Sequence, residues 1–400
     1  MSKSNETTPN VPTLRFAEYT DEWHKFALSD FVTRSTRRNK NNESSLPLTI
    51  SAQYGLVDQI TFFNKTVASV DLSGYYLLYN GDFAYNKSYS NDYAWGAVKR
   101  LDKYEKGCLS SLYFVFRPTD KVDSDYLTHY FETNKWHKGI SDIAGEGARN
   151  HGLLNMSVDD YFATKHYLPT LPEQRKIADF LNLIVKRIEI QNKIISKYET
   201  LIKGISNDYF SQEASEFIPL TNLIIKGKAG GTPTSTIEKY YNGDIPFLSI
   251  SDMSKQGKYI NYTEKFISKD GLENSAAWIV PKSSLILSMY ASVGLVCINN
   301  LPLATSQAMF AMILKDNTKL NYLYYFLNYF RETKIHRLLE TGTQSNINAD
   351  TVRAIQVPLY STMDAYVKTM LSIENELQNE KDMLSCLLNL KAYLMSKMFI

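Results

Sequence analysis

Two long segments of the chain carry apolar residues at alternating intervals of four and three. They cover residues 177–209 and 366–398, and each position of the second lies 189 residues after its counterpart in the first. The central position is polar in both segments, Gln191 in the first and Glu380 in the second. Apolar residues that repeat in this way over many turns predict coiled-coil helices, in which a polar residue commonly fixes the register. The predicted seam contains Ile177, Leu181, Ile184, Ile188, Gln191, Ile195, Met370, Ile373, Leu377, Glu380, Leu384 and Leu387.

The segment before each long helix has the pattern of a mixed α/β globule. A passage that reads YLTHYFETNKWHK from Tyr126 returns as YFLNYFRETKIHR from Tyr325. Both passages lead through a Gly-containing polar loop to a proline, Pro169 or Pro358, and these prolines are again 189 residues apart. The apolar run at 284–288 predicts a strand within the second globule. This internal duplication predicts two related globules, each followed by a long helix.

The order of these segments predicts an α+β fold with two globules separated by an antiparallel two-helix coiled coil. The expected boundaries are 1–170 and 212–360 for the globules, and 171–211 and 361–400 for the helices. Because the second helix starts where the second globule ends, a paired second helix must run back along the first, which gives pseudo-twofold symmetry. Helices of this length would hold the globules about 50 Å apart. The alternative is two amphipathic helices packed on separate cores.

Composition narrows the class of protein. Hydrophobic residues make up 44% and charged residues 22% of the chain, which is typical of a globular protein. The net charge is only +2, so any nucleic-acid contact must come from local clusters. Three cysteines without a CxxC pair predict neither a disulfide framework nor a zinc site. The polar amino terminus lacks the apolar core of a signal peptide, and we expect a cytoplasmic protein.

Two globules on a fixed spacer suit duplex DNA, whose major groove returns roughly every 34 Å. Arg, Asn and Gln side chains make paired hydrogen bonds to base edges, whereas Lys side chains and loop amides bind phosphates. The alternative for each polar cluster is a solvated surface loop. The predicted DNA-binding residues are Arg34, Arg37, Arg38 and Lys40; Arg149, Asn150 and His151; Lys226, Lys228 and Thr232; and Thr343, Gln344, Ser345 and Asn346.

Four passages resemble the specificity subunits of type I restriction–modification systems. LPEQRKIADFLNLIVKRIEIQ from Leu171 resembles their central conserved helix, and VPTLRFAEYTDEWHKFALSDF from Val11 resembles their usual opening. GGTPTSTIEKYYNGDIPFLSISDM from Gly230 resembles the start of a target-recognition domain, and TGTQSNINADTVRAIQVPL from Thr341 looks like the end of one. The likeness covers nearly the whole chain.

The resemblance implies a fold, a function and a set of partners. The two globules would be target-recognition domains that read a bipartite, asymmetric site in double-stranded DNA, and the helices would be the central and distal conserved helices. Two modification (methyltransferase) subunits and two restriction (translocase and nuclease) subunits would dock on the chain. S-adenosylmethionine, ATP and Mg²⁺ would bind those partners, and no cofactor is expected on this chain.

Two features depart from the family pattern. The second helix opens with STMDAYVKTM and lacks the counterpart of Glu173 and Gln174, so the two helices are not expected to dock partners equally well. The first globule has TRSTRRNKNN from Thr33 where a GGTP loop is expected.

The sequence offers no chemistry of its own for catalysis. It contains no (D/N)PP(Y/F) methyltransferase signature, no GxxxxGK[ST] phosphate loop and no HExxH metal motif. We therefore predict a non-catalytic subunit with no catalytic residue and no metal site. Two alternatives stay open: a coiled-coil scaffold without a DNA role, and the recognition subunit of a related modification system that is not type I.

Overall fold

The chain divides into two compact units, and the boundary between them falls within each of two long helices. The first unit contains residues 1–192 together with 382–400, and the second contains residues 193–381. The structure, a computed structural model, describes residues 10–65, 67–88, 93–144, 153–335 and 346–400.

The secondary structure before residue 171 consists of short elements. The strands are β1 (His24–Ala27), β2 (Val32–Arg34), β3 (Leu48–Ser51), β4 (Gly55–Asp58), β5 (Tyr76–Tyr79), β6 (Phe83–Asn86), β7 (Ala97–Arg100), β8 (Lys106–Leu109), β9 (Phe114–Pro118) and β10 (Lys165–Leu168). The helices are α1 (Leu28–Phe31), α2 (Gln59–Phe63), α3 (Ser124–Phe131), α4 (His137–Ile143) and α5 (Val158–Ala163).

The remaining elements include both long helices. The helices are α6 (Leu171–Phe210), α7 (Ile250–Gln256), α8 (Lys269–Glu273), α9 (Leu320–Thr333), α10 (Ala349–Ala354) and α11 (Met363–Lys397). The strands are β11 (Glu216–Pro219), β12 (Ile224–Ala229), β13 (Tyr241–Leu248), β14 (Tyr259–Ile260), β15 (Lys265–Ile267), β16 (Ile279–Val280), β17 (Leu285–Ser288), β18 (Val296–Asn299), β19 (Leu303–Thr305), β20 (Met309–Leu314) and β21 (Gln356–Leu359).

The first unit is built around an antiparallel sheet with the strand order β2-β9-β6-β7. Strands β5 and β8, β3 and β4, and β1 and β10 form further antiparallel pairs. Aromatic residues fill the core between the sheet and the short helices. The rings of Phe83 and Phe116 stack at 5.6 Å, and those of Tyr85 and Tyr161 at 4.6 Å. The high aromatic content of the chain is therefore partly a property of its core, because each buried ring removes a large area from water.

The second unit contains two sheets, with the strand orders β12-β20-β17-β18-β14 and β15-β13-β19-β16. Strand β20 is apolar throughout because both of its faces are covered. Phe310 and Met312 belong to the core that contains α9, whereas Met309 and Ala311 belong to a second core on the other face. Alternate residues of a strand point to opposite faces, so a strand buried on both sides shows no apolar–polar alternation.

The two units share one framework. Strand β9 lies between β2 and β6 in the first unit, and β20 lies between β12 and β17 in the second. The strand before each of them, β8 or β19, pairs antiparallel with β5 or β16. The turn after that partner strand has a residue with positive φ in both units, Gly81 at 88° and Ser283 at 64°. The duplication predicted from the sequence is thus present in the strand topology.

In the second unit the two long helices run in opposite directions. The rings of Tyr209, near the end of α6, and Tyr366, near the start of α11, stack at 4.0 Å. Earlier in α6 and later in α11, Glu199 forms an ion pair with Lys381 at 3.1 Å. In the first unit, Leu181 of α6 shares its core with Leu394 of α11.

The positions of the predicted seam are all buried or half-buried. Gln191 is fully buried, as are Leu181 and Met370, whereas the intervening apolar residues Leu183 and Ile190 are 65% and 39% exposed. This distribution agrees with an apolar stripe at the predicted spacing. The juxtaposition of Gln191 and Glu380 stays a prediction.

The start of α6 is anchored by the two polar residues of the LPEQ passage. Glu173 is 1% exposed and accepts hydrogen bonds from the Arg15 guanidinium at 2.7 and 2.8 Å. The Gln174 side chain accepts from the backbone of Asp123, before α3, and donates to the carbonyl of Pro169. These residues therefore fix the amino-terminal segment and α3 to the long helix, and the start of α11 has no counterpart of them in the sequence.

The predicted elements are confirmed. The two long helices are α6 and α11, the passages that begin at Tyr126 and Tyr325 start in α3 and α9, and the run at 284–288 contains β17. In the described part of the chain, no helix combines the length and apolar character needed to cross a membrane.

Candidate nucleic-acid interface

A tight turn joins β19 to β20 in the second unit and presents Gln307 at its tip. The Met309 amide donates to the Ser306 carbonyl at 3.2 Å, and the Ala308 amide donates to Ser306 Oγ at 3.3 Å. Gln307 occupies the position after Ser306 and is exposed. Both ends of the turn continue into buried strands, so its backbone is fixed from both sides.

The Gly230–Gly231 pair of the GGTP loop packs against this turn. The Gly230 amide donates to the Met309 carbonyl at 3.2 Å, and the Gly231 amide donates to the Thr305 carbonyl at 3.0 Å. A Cβ on Gly230 would lie 1.9 Å from the Thr305 carbonyl oxygen, and one on Gly231 would lie 2.6 Å from the Ala276 backbone. The glycines are thus required by close packing of backbones. Our expectation that amides of such loops bind phosphate is wrong for these two, because both are already bonded.

The side chains around the GGTP loop differ in whether they already have a partner. Thr232 donates from its hydroxyl to Gln307 Oε1. Lys226 lies over the ring of Trp278, with 4.1 Å from Nζ to the ring centroid. Lys228, on the same strand, is exposed and forms no ion pair within the described residues. Lys228 is therefore available to a phosphate, whereas Lys226 and Thr232 already have partners.

A second loop reaches the same edge of the second unit. The Met289 amide donates to the Ala308 carbonyl at 2.7 Å, and the Ile347 amide donates to the Met289 carbonyl at 3.1 Å. The residues that follow Met289 include Ala291 and Ser292 with φ of 38° and 46°, values that non-glycine residues rarely adopt. The predicted residue Asn346 directly precedes Ile347, so the structure brings it to the same edge as the Gln307 turn. This loop could not be predicted, because left-handed residues other than glycine leave no compositional signal.

The predicted cluster in the first unit divides into bound and free cations. The Arg37 guanidinium forms an ion pair with the buried Asp82 at 2.7 Å and lies 4.2 Å from the centroid of the Tyr79 ring. Arg38 donates to the Gly74 carbonyl and lies over the ring of Tyr76. These two arginines support the fold of the segment, and freeing Arg37 for a base would leave Asp82 a weaker partner in Arg117 at 3.3 Å.

Arg34 and Lys40 differ from the two arginines between them. Both are exposed and neither forms an ion pair within the described part of the chain. Cations without a carboxylate partner are the ones that can bind phosphate without first breaking a contact. The remaining predicted residues, Arg149, Asn150, His151, Thr343, Gln344 and Ser345, lie outside the described residues.

The first unit repeats the tight turn in the same place. Between β8 and β9 the Tyr113 amide donates to the Ser110 carbonyl at 3.2 Å, and the Leu112 amide donates to Ser110 Oγ at 3.4 Å. The position that holds Gln307 in the second unit holds Ser111 here, and the next residue is Leu112, which is 66% exposed. One framework therefore presents different side chains in the two units.

The buried titratable groups of the first unit have structural partners. His166 lies between the hydroxyls of Tyr130 and Thr164, each 2.8 Å from a ring nitrogen. Burial lowers the pKa of the His166 imidazole to about 4, so the ring is neutral near pH 7. Burial also lowers the pKa of His129, which bonds to Asn182 at 2.8 Å.

The second unit contains a partly buried ion pair. Lys258 Nζ lies 2.6 Å from Glu374 of α11 and 2.9 Å from the hydroxyl of Tyr325. Burial lowers the pKa of Lys258, and Glu374 opposes that shift. The pair joins the globular part of this unit to its long helix.

Comparison with known proteins matches part of the chain to one family. The family model of the type I restriction modification DNA specificity domain matches residues 213–381. The chain is 28% identical over 155 residues to the type I restriction enzyme MjaIX specificity subunit of Methanocaldococcus jannaschii. It is 29% identical over 161 residues to the HindI specificity subunit of Haemophilus influenzae. Each match covers 38% of this chain and little more than a third of the relative, 36% and 35% respectively.

Solved structures extend the likeness to nearly the whole fold. A chain from a study of complex assembly and conformational transition of the type I R-M system aligns with a TM-score of 0.58, over 94% of this chain and 97% of that one. The type I system S subunit from M. genitalium aligns with a TM-score of 0.54, over 98% and 99%. Both are 16% identical in sequence, so this similarity concerns the fold. Residues 213–381 thus match the type I restriction modification DNA specificity domain, and the chain as a whole shares its fold with these two solved structures.

Proposed function

We propose that the chain reads a bipartite, asymmetric DNA site, with one element of the site read by each unit. The observation that carries this proposal is the repeated turn, which has Ser111 and Leu112 at its tip in the first unit and Gln307 and Ala308 in the second. The two units have the same strand framework but different side chains at the tip of the turn. This arrangement suits two DNA elements of different sequence, because base edges are distinguished by the side chains that contact them.

Affinity and sequence preference would come from different residues. Arg34 and Lys40 in the first unit, and Lys228 in the second, are exposed cations that would bind phosphates and set the position of each unit. The tips of the turns would meet the base edges. The other residues of the four predicted clusters keep their proposed role as DNA contacts, with Arg37 and Arg38 acting through the segment that they hold in place.

The proposed partners are two methyltransferase subunits and two restriction subunits, which would carry S-adenosylmethionine, ATP and Mg²⁺. The chain itself would not catalyse a reaction and would act in the cytoplasm, beside the chromosome. The long helices offer a docking surface, because Leu183, Leu388 and Tyr393 are 65%, 49% and 55% exposed outside the seam. We propose that these exposed side chains contact the partner subunits, because apolar side chains gain free energy when they leave water.

The test is a map of methylated adenines in cells that express the methyltransferase subunits with and without this chain. We expect one bipartite motif to be methylated only when the chain is present. Methylation that is unchanged by its removal contradicts the proposal.

A coiled-coil scaffold without a DNA role predicts a different result in a binding assay. The purified complex should bind duplex DNA with an affinity that falls steeply with salt, because cations on the protein displace counterions from the phosphates. A scaffold would show no such binding. If the chain is instead the recognition subunit of a related modification system that is not type I, methylation should occur without any restriction partner.

A further inference from the structure

We infer that Gln307 reads an adenine in the DNA element of the second unit, and that Thr232 is its positioning residue. This inference rests on the proposed function. It assigns a base contact to a residue that lies outside the four clusters expected from the sequence, and it gives the GGTP loop a role in specificity instead of phosphate binding.

The backbone beneath Gln307 is held by contacts from three directions. The Ser306 hydroxyl and carbonyl accept from the two amides that close the turn. Gly230 and Gly231 bond to the residues on either side of it, Met309 and Thr305. The Met289 amide bonds to the Ala308 carbonyl at 2.7 Å. A turn that is bonded in this way keeps its tip in place when a ligand approaches.

The side chain of Gln307 is held in place, in addition to its backbone. An exposed Gln normally has many rotamers, and fixing such a side chain on binding costs conformational entropy. Here the Thr232 hydroxyl donates to Oε1, which sets the orientation of the amide plane before DNA binds. Preorganisation of this kind is typical of residues that must match a partner within a fraction of an ångström.

The hydrogen-bonding groups that Thr232 leaves open on Gln307 match adenine. An amide oxygen has two lone pairs, so Oε1 can accept from Thr232 and from the adenine N6 amine at the same time. The Nε2 group has no partner within the described residues and can donate to adenine N7. This donor–acceptor pair fits the major-groove edge of adenine and no other base edge equally well.

The first unit supports the assignment by contrast. Its equivalent turn has Ser111, a shorter side chain with one hydroxyl that serves several base edges. No GGTP loop stands beside this turn, and the residues in that region are the bound arginines Arg37 and Arg38. Amide-specific preorganisation is therefore a feature of the second unit.

The experiment uses the complex of the full chain with its methyltransferase subunits. The wild-type motif is first mapped from methylated adenines. Binding is then measured for duplexes that carry each alternative base at each motif position. We expect Gln307→Ala to lose a preference of roughly ten- to a hundred-fold at one A·T position, in one element only. The other element serves as an internal control for folding and assembly.

Four further variants sharpen the test. Gln307→Glu keeps the shape of the side chain but has only acceptors, so the same position should shift from adenine towards cytosine, whose N4 amine is a donor. Thr232→Val should weaken the adenine preference, and Thr232→Ser should restore it. Gln356→Ala, an exposed Gln on β21 away from the turn, should change no position.

The outcomes separate the inference from the function on which it rests. If Gln307→Ala and Gln307→Glu both keep the wild-type preference at every position, Gln307 is not a base reader and the inference is wrong. Loss of preference in both elements also contradicts it, because that result indicates damage to the whole chain. If the wild-type complex has no sequence preference, the proposed function itself fails.

Discussion

The two units place the same turn in the same framework and differ at its tip. Ser110 and Ser306 make equivalent hydrogen bonds to the turn amides, at 3.4 and 3.3 Å. The following residues are Ser111 and Leu112 in one unit and Gln307 and Ala308 in the other. A serine thus bonds to the turn amides in both units, whereas the exposed residue that follows it, Ser111 or Gln307, differs between them.

The starts of the long helices differ in a second way. Helix α6 is fixed by the buried Glu173 and Gln174, whereas α11 begins near the stacked rings of Tyr366 and Tyr209. Polar anchoring depends on a complete set of partners, and aromatic stacking depends on area and shape. The two helix starts should therefore respond differently to the removal of a side chain.

The largest effect is expected from Glu173→Ala. It leaves the Arg15 guanidinium, which is 13% exposed, without its carboxylate, and breaking a buried pair from one side costs about 3–5 kcal/mol. The matched variant is Thr362→Ala, 189 residues later, where the hydroxyl makes one partly exposed bond to Tyr209. That variant should cost about 1 kcal/mol or less. Urea unfolding gives the free energy of unfolding of both variants. Equal losses of stability would contradict the expected difference between the two helix starts.

A difference in acid stability should also separate the units. His166 is buried in the first unit, and the corresponding position in the second is the apolar Ile355. An unfolded His accepts a proton below about pH 6.5, whereas the folded His166 accepts one only near pH 4. The stabilisation is therefore present above pH 6.5 and is lost as the pH falls towards 4, by about 3 kcal/mol over that range.

Hydrogen exchange between pH 7 and pH 4.5 provides the measurement for this difference. Peptides of the first unit should lose more protection than those of the second. His166→Leu should reduce the pH dependence of the first unit, with a remainder from His129, whose pKa is lowered in the same direction. Equal loss of protection in both units would show that other groups dominate.

A smaller effect is expected from Gly230→Ala. The added Cβ would lie 1.9 Å from the Thr305 carbonyl oxygen, and overpacking of this kind typically costs about 1–3 kcal/mol. The strain falls on the Gln307 turn. The base preference in the DNA element that the second unit reads should therefore also decline. The control is Gly204→Ala in α6, which meets no atom within 4 Å and should stabilise the helix by about 0.5–1 kcal/mol. Thermal unfolding distinguishes the two variants, because the melting temperature should fall for Gly230→Ala and rise for Gly204→Ala.

The smallest effect on sequence preference is expected from Lys228→Gln. Removing one phosphate contact should weaken binding to all duplexes alike and lower the salt dependence by about one counterion. Lys269→Gln is the control, because Lys269 is highly exposed and pairs with Glu273 on its own helix. If Lys228→Gln changes the base preference, Lys228 contacts a base and not a phosphate.

Features that depend on local spacing could be predicted from the sequence, and features that depend on distant neighbours could not. The long helices follow from apolar intervals within one segment, and the duplicated globules follow from repeated passages. Arg37 was predicted to bind DNA, and its ion-pair partner Asp82, which lies 45 residues away in sequence, could not be foreseen. Gln307 was overlooked because Thr232, which orients it, lies 75 residues away. Neither pairing leaves a periodic signal in the chain.

The GGTP passage shows the same limit at a single motif. Adjacent glycines are typical both of phosphate-binding loops and of places where backbones approach closely. Only the positions of Thr305 and Ala276 decide between these two roles here, and they favour close approach.

The hydroxyl of Ser306 also bears on which substitutions the turn can accept. Because it bonds to the Ala308 amide from within the turn, the exposed side chain at position 307 is not needed to close the turn. Other residues can therefore be tried at this position with the sheet and the long helices left intact. A library limited to position 307 should accordingly consist largely of folded proteins, so that any change in DNA preference can be attributed to the new side chain.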